Sequence, residues 1–289
     1  MTHILPRPSP FLKVRIHRRG LKPSLCGLCV GYERGVWRAE QFAEHVVEWL
    51  PEFALSPEEC KSFNQANAVP FIRRAAKTVY ESKKFENRGE FGELFLHAII
   101  RQVHNSLPAI SKIFYKSAIN DPVKGFDIVH VVGPPNDMEL WLGEAKFYKS
   151  IAAAIRDVLA ELETHLATKY LRSEFLLIKG KIDDSWPHAD ALNKLLSPNT
   201  SFDDVFKRAC IPILLTYDSE CLTKHSICSS EYIAAFKAEI ERHYRSFAKK
   251  LALKALPPEL HIHLFLMPLN TKTVLIKALD RKLRIWQQI

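Results

Sequence analysis

The stretch that most constrains this chain runs from Arg88 to Tyr148. It opens with Arg88-Gly-Glu-Phe-Gly-Glu93, passes through Lys124-Gly-Phe-Asp127 and closes on Leu142-Gly-Glu-Ala-Lys146. Between the last two lie Ile128-Val-His-Val-Val132, of strand composition, the turn signal Pro134-Pro-Asn-Asp137, and the alternating run Met138-Glu-Leu-Trp-Leu142. Two strands across a short loop predict a hairpin, with Asp127 on one arm and Glu144 on the other. Residues two apart on a strand share a face, so Glu144 and Lys146 are expected to point the same way and Ala145 into the core. A helix is expected over Arg88 to His104, with Phe91, Leu94, Phe95, Ala98 and Ile99 on its apolar stripe. Glu90 and Glu93, three apart, fall on the adjacent edge.

Carboxylates and a lysine converging at a sheet edge are what metal-dependent phosphodiester hydrolysis needs. Hard oxygens hold a divalent cation, and a cation beside them offsets phosphate charge and orients water. Asp127 and Glu144 are the expected metal ligands, and Lys146 the residue that positions the attacking water. Glu93 is the helical acid expected to assist through a second ion or a hydrogen bond. The expected ion is Mg²⁺, with Mn²⁺ as the alternative. Three accessory candidates flank this set. Glu90 stands at the helix N-terminus, where a carboxylate is worth about 0.3–1 kcal/mol in any case. His97 lies one turn beyond Glu93, and Lys149 sits at a strand-to-helix turn where a cation can meet phosphate.

The ordered set of helical Glu, strand Asp127 and Glu144-Ala-Lys146 resembles the signature of the PD-(D/E)xK nuclease superfamily. Gly-Phe stands before the aspartate where that signature usually has a proline.

Around this stretch, 289 residues with 47% apolar content allow one large domain, or a domain with a smaller appendage. The net charge of +9 suits a polyanionic partner. The basic residues cluster in Arg7 to Lys22, Arg73 to Arg88 and Lys272 to Arg284. Cys26-Gly-Leu-Cys29 has no second C-x-x-C and no histidine pair at zinc-site spacing, so the six cysteines read as free thiols of a reducing cytoplasm. Met1 to Pro10 has no apolar core of a signal peptide, and no apolar run reaches the length of a membrane span. A soluble, cytoplasmic protein without membrane contact is the expectation.

Elsewhere the pattern predicts strands over Phe11–Ile16, Leu25–Glu33, Ile113–Tyr115, Cys210–Tyr217 and Leu260–Met267. Helices are expected over Trp37–Leu50 (ended by Pro51), from a Ser56 capping box, over Phe71–Ser82 after a break near Val69-Pro70, and from Ser150 through Leu162. Ser229–Leu256 and Thr271–Trp286 complete the set. Arg172 to Ile182 is ambiguous between helix and strand. The succession predicts an α/β fold, a restriction-endonuclease-like mixed sheet flanked by helices, with an α+β N-terminal region. The expected division is 1–84, a supporting or partner-binding region, and 85–289, the nuclease-like domain. The sequence carries no P-loop.

At a finer level the chain resembles the HamA family, nuclease subunits of Hachiman anti-phage systems. The residues that carry this are Gly31-Tyr-Glu33 with Trp37-Arg38, Trp49-Leu-Pro-Glu-Phe-Ala-Leu55, Arg88-Gly-Glu-Phe-Gly-Glu-Leu94 with His97, Gly125-Phe-Asp127, Gly143-Glu-Ala-Lys146 and Ile155-Arg-Asp157. The resemblance implies a metal-dependent DNA endonuclease of anti-phage defence, controlled by a superfamily-2 helicase of the HamB kind. Two other readings stay open on the residues alone: a nuclease directed at RNA, and a catalytically silent nuclease-like adaptor for a helicase.

Overall fold

A computed structural model of the chain describes residues 7–79, 89–111 and 125–289. Its strands are β1 (Lys13–Arg18), β2 (Ser24–Cys29), β3 (Tyr32–Glu33), β4 (Val36–Trp37), β5 (Leu107–Ser111), β6 (Ile128–Val132), β7 (Glu139–Phe147), β8 (Ala209–Asp218) and β9 (His261–Leu269). Its helices are α1 (Ala39–Glu48), α2 (Leu50–Ala54), α3 (Pro57–Lys61), α4 (Ala68–Val79), α5 (Glu90–His104), α6 (Ile151–His165), α7 (Thr168–Lys179), α8 (Ala189–Leu195), α9 (Phe202–Phe206), α10 (Glu220–Lys224), α11 (Ser230–Leu251) and α12 (Lys272–Gln288).

Seven strands form one mixed sheet in the order β1-β2-β9-β8-β7-β6-β5, and β3-β4 is a separate small hairpin. The expected hairpin is β6-β7, antiparallel, with Ile128 opposite Gly143. Strands β7, β8, β9 and β2 run parallel to one another, whereas β1, β5 and β6 pair antiparallel. The mixed α/β sheet flanked by helices is thus the observed architecture. Strands β1 and β2, from the first 84 residues, belong to the same sheet through the β2-β9 pair. The boundary expected at 84/85 lies outside the described residues, as do Arg88, Lys124 and the strand expected over Ile113–Tyr115.

Two local readings are corrected and one open reading is resolved. Pro51 does not end a helix; it sits in the first turn of α2 after a kink at Trp49. Pro70 causes no break either, because it falls in the first turn of α4, where the missing N–H would have no intrahelical partner. Arg172 to Ile182 resolves as helix, most of it in α7.

Strand β7 is buried along almost its whole length because helices cover both its faces. Helix α5 lies on the face of Gly143, Ala145 and Phe147. A Cβ at Gly92 would stand 3.1 Å from Phe147 Cβ and 3.5 Å from Ala145 Cβ, so the missing side chain lets the helix approach. Gly143 answers it from the strand. A Cβ there would meet Ile128 Cγ1 at 2.5 Å and Leu96 Cδ2 at 2.9 Å. Gly143→Ala is therefore expected to destabilise the fold by about 1–3 kcal/mol, the usual cost of overpacking, as measured by denaturant melts. Helix α6 covers the opposite face, that of Glu144 and Lys146.

The helices that follow parallel strands begin at one end of the sheet. Each is capped by a hydroxyl: Ser150 accepts from Ala153 N at 3.3 Å, Ser219 from Leu222 N at 3.1 Å, and Thr271 from Val274 N at 3.2 Å. The carboxyl end of a parallel sheet is where such folds place ligand clefts. Among the described residues no helix is long and apolar enough to cross a membrane.

Candidate active site

Asp127 is fixed by the strand pairing itself. Its N–H donates to the Gly143 carbonyl at 2.9 Å, and its Oδ2 accepts from Ala145 N at 2.9 Å. The side chain therefore reaches across from the start of β6 to the motif on β7. Period two along β7 turns Glu144 and Lys146 to the same face, as their spacing predicts. Ala145, between them, is buried on the α5 side.

Asp127, Lys146 and Glu93 line one cleft of about 630 Å³, together with Tyr148, Lys149 and Lys272. Three residues of the candidate set, Asp127, Lys146 and Glu93, are thus brought to one place, with Lys149 at its rim. Glu144 is the next residue along the strand from this cleft but does not line it. Its carboxylate is 1% exposed. Oε1 stands 2.6 Å from His165 Nδ1, and Oε2 lies 3.9 Å from Lys146 Nζ. His165 is itself set by aromatic packing, stacked on Tyr170 and edge-on to Phe126. One turn before it on α6, Glu161 pairs with Lys146 Nζ.

Lys146 is charged at neutral pH. Burial works to lower its pKa, but Glu144, the Glu161 hydrogen bond and Asp127 outweigh that and raise it. A lysine held protonated cannot serve as a general base. It can donate to a phosphate oxygen and stabilise developing negative charge.

Glu90, the first residue of α5, does not line the cleft. His97 lies in a buried network behind it. Its Nε2 is 3.1 Å from Glu52 Oε2 and its Nδ1 3.2 Å from His130 Nε2; His130 Nδ1 is 2.9 Å from Ser106 Oγ. Burial lowers the pKa of both histidines, so both are neutral at pH 7. The carboxylate can only accept, which assigns the protons: Ser106 donates to His130, His130 to His97, and His97 to Glu52. Arg101 closes the network with 2.7 and 2.6 Å bonds to both Glu52 oxygens and a bond to the Ser106 carbonyl.

Burial would raise the Glu52 carboxyl, yet the bonds from His97 and Arg101 prevail and hold it at about 2. Its folded value lies below its ordinary one of 4.5, so the stabilisation is present above about pH 4.5 and is lost as pH falls toward 2. Acid titration of the denaturant midpoint is expected to fall through that window, and Glu52→Gln to flatten the slope.

Cys26 and Cys29 both lie buried in β2. Three apart on a strand, they face opposite sides of the sheet and cannot close on one ion. Burial pushes the Cys26 thiol up to about 12.

The donor set suits a hard divalent cation. Asp127 and Glu93 offer carboxylate oxygens to one cleft, and Mg²⁺ commonly takes one or two carboxylates and completes its shell with water and substrate phosphate. Among the described residues, no three carboxylate, imidazole or thiolate groups are gathered so as to enclose an ion by themselves. Glu161, His165 and Lys272 escaped the sequence reading, since each lies on another element and joins the motif only through packing.

A mixed α/β sheet with an acidic and lysine-bearing cleft at the carboxyl end of its parallel strands defines the class. Within that class the chain belongs to the HamA family, whose profile matches residues 9–283. It is 26% identical, over an alignment of 297 residues, to anti-bacteriophage protein A of Escherichia coli strain K12. That alignment covers 98% of this chain and 52% of the relative, so the chain spans about half the relative's length. No solved structure matches.

Proposed function

We propose that this protein is a metal-dependent nuclease of the PD-(D/E)xK kind that hydrolyses DNA in anti-phage defence. The observation that carries the reading is the cleft in which Asp127, Glu93 and Lys146 meet. The defence role is supported by membership of the HamA family and by likeness to a protein named for action against bacteriophage.

Asp127 and Glu93 would hold Mg²⁺ or Mn²⁺, while Glu144, the third acid of the motif, stands behind the cleft beside His165. When bound, such an ion polarises the phosphate and lowers the pKa of a water. The chain's own residues do the rest. Asp127, tied to the β7 backbone, fixes the acidic end of the cleft relative to Lys146. Lys146 donates to a non-bridging phosphate oxygen or to the attacking water and offsets charge as the phosphorus becomes five-coordinate. Glu161 and Glu144 keep its ammonium in place. A helicase partner, implied by the family, would supply ATP-driven control that this sequence has no P-loop to provide.

Plasmid nicking with Mg²⁺, with Mn²⁺ and with EDTA tests the reading, beside an RNA substrate of matched length. Metal-dependent nicking of DNA that Asp127→Asn removes is expected. Cleavage of RNA alone would move the substrate class. Absence of cleavage of either, with the helicase partner present, would reject the nuclease.

A further inference from the structure

The cleft has a basic end that the chemistry above does not use. Lys149 follows β7 and is exposed, while Lys272 opens α12, 123 residues further along. Lys272 is held in place from three sides. Its Nζ donates to the Phe147 carbonyl at 2.5 Å and lies 4.6 Å from the centre of the Phe147 ring, and its N–H donates to Asp218 Oδ1 at 2.6 Å. Asp218 N in turn donates to the Lys149 carbonyl at 2.9 Å, which ties the two lysine-bearing turns together. Burial, then the neighbouring Lys149 charge, lowers the Lys272 pKa, with Asp218 opposing. Both lysines line the one cleft, and Asp218 bonds the backbone of each, its carboxylate at Lys272 and its N–H at Lys149. Helices of 15 and 17 residues start at the same corner and add the positive ends of their dipoles.

We propose that Lys149 and Lys272 form a second phosphate subsite, which grips the backbone phosphate of a nucleic-acid strand next to the one presented to Asp127 and Lys146. The proposal rests on the phosphodiesterase reading for its orientation. The layout is bipolar: carboxylates at one end, Lys146 between, two lysines at the other. A strand laid along it meets cation-binding groups at the scissile phosphate and the Lys149 and Lys272 ammonium groups at its neighbour. Such contacts hold the backbone without reading bases, so the subsite should be indifferent to sequence.

The test is binding of a short fluorescein-labelled DNA duplex and of its single strand by anisotropy, in EDTA, over a salt series. Lys149→Gln touches an exposed side chain and leaves folding intact. Lys149→Gln with Lys272→Gln removes both charges, and melting curves show whether freeing the Phe147 carbonyl and ring disturbs the fold. Lys237→Gln, on the exposed side of α11, removes one charge elsewhere. Lys149→Gln should weaken binding several-fold and the double variant about tenfold or more. The slope of log K against log salt should flatten by about 0.9 on duplex and 0.7 on single strand, the share of a single phosphate, while Lys237→Gln changes neither appreciably. Lys149→Gln and the double variant binding with the affinity and slope of Lys237→Gln would overturn the subsite and leave the nuclease reading standing. Protein that binds with the expected pattern yet cuts neither DNA nor RNA in Mg²⁺ or Mn²⁺ with the helicase partner present would overturn the nuclease and leave the subsite. Wild-type protein that binds neither probe would overturn the subsite as well.

Discussion

Lys146→Ala is expected to lower the rate of metal-dependent DNA cleavage by about 10²–10³-fold or more, the usual consequence of removing one donor aimed at developing oxyanion charge. Binding of DNA should change little, since affinity is shared among many phosphate contacts. Some loss of stability should accompany it. Lys146 is buried, and its removal takes the ammonium away from Glu144 and from Glu161. Glu161 is 41% exposed at its side chain and can be solvated, so the cost should stay at roughly 1–3 kcal/mol. Lys146→Arg separates charge from geometry. It keeps the ion pairs and the melting temperature, but places a planar fork where a point charge stood, and should recover only part of the rate. Single-turnover nicking beside thermal melts gives both readouts. A Lys146→Ala protein that folds and cuts at the wild-type rate would remove the chemistry from this cleft.

The largest effect on stability is expected from Arg101→Ala. Arg101 is 0% exposed and bonds both oxygens of Glu52 and the Ser106 carbonyl, so its removal leaves a half-buried carboxylate with only the neutral His97 of this network beside it and a buried carbonyl without its guanidinium. Breaking such a pair from one side costs about 3–5 kcal/mol, a large part of the stability of an ordinary domain. The companion variant Glu52→Gln should cost less, because the amide oxygen still accepts from the guanidinium. Denaturant unfolding at pH 7 compares them. An Arg101→Ala protein within about 1 kcal/mol of wild type would mean that water reaches Glu52 in the variant. This network sits behind α5, the helix that presents Glu93. Partial melting there should therefore loosen the acidic end of the cleft before the sheet opens.

Much of the site was written locally. The hairpin followed from an apolar run, a proline-rich turn and an alternating run. The common face of Glu144 and Lys146 followed from period two, and the Ser56 and Ser150 caps from residue type. These are short-range consequences of backbone geometry, legible within a window of about ten residues. The first-turn tolerance of Pro51 and Pro70 was equally local, but the position of each helix start decided it, and that start was misplaced. His97 was the harder case. One turn beyond Glu93 placed it near the cleft on a helical wheel, whereas packing gave it to Glu52, from a helix 45 residues earlier.

What the sequence by itself determined is the motif hairpin, the helix before it, the helix after it and the acid and base types they carry. Only the tertiary structure decided that β2 pairs with β9, that Glu161 and His165 stand over Glu144 and Lys146, and that Lys272 reaches the cleft from the last helix. The physical reason is range. Strand period and caps depend on dihedral angles of neighbouring residues, whereas these partners meet only when the parallel strands β7, β8 and β9 align and bring the starts of α6 and α12 to one edge.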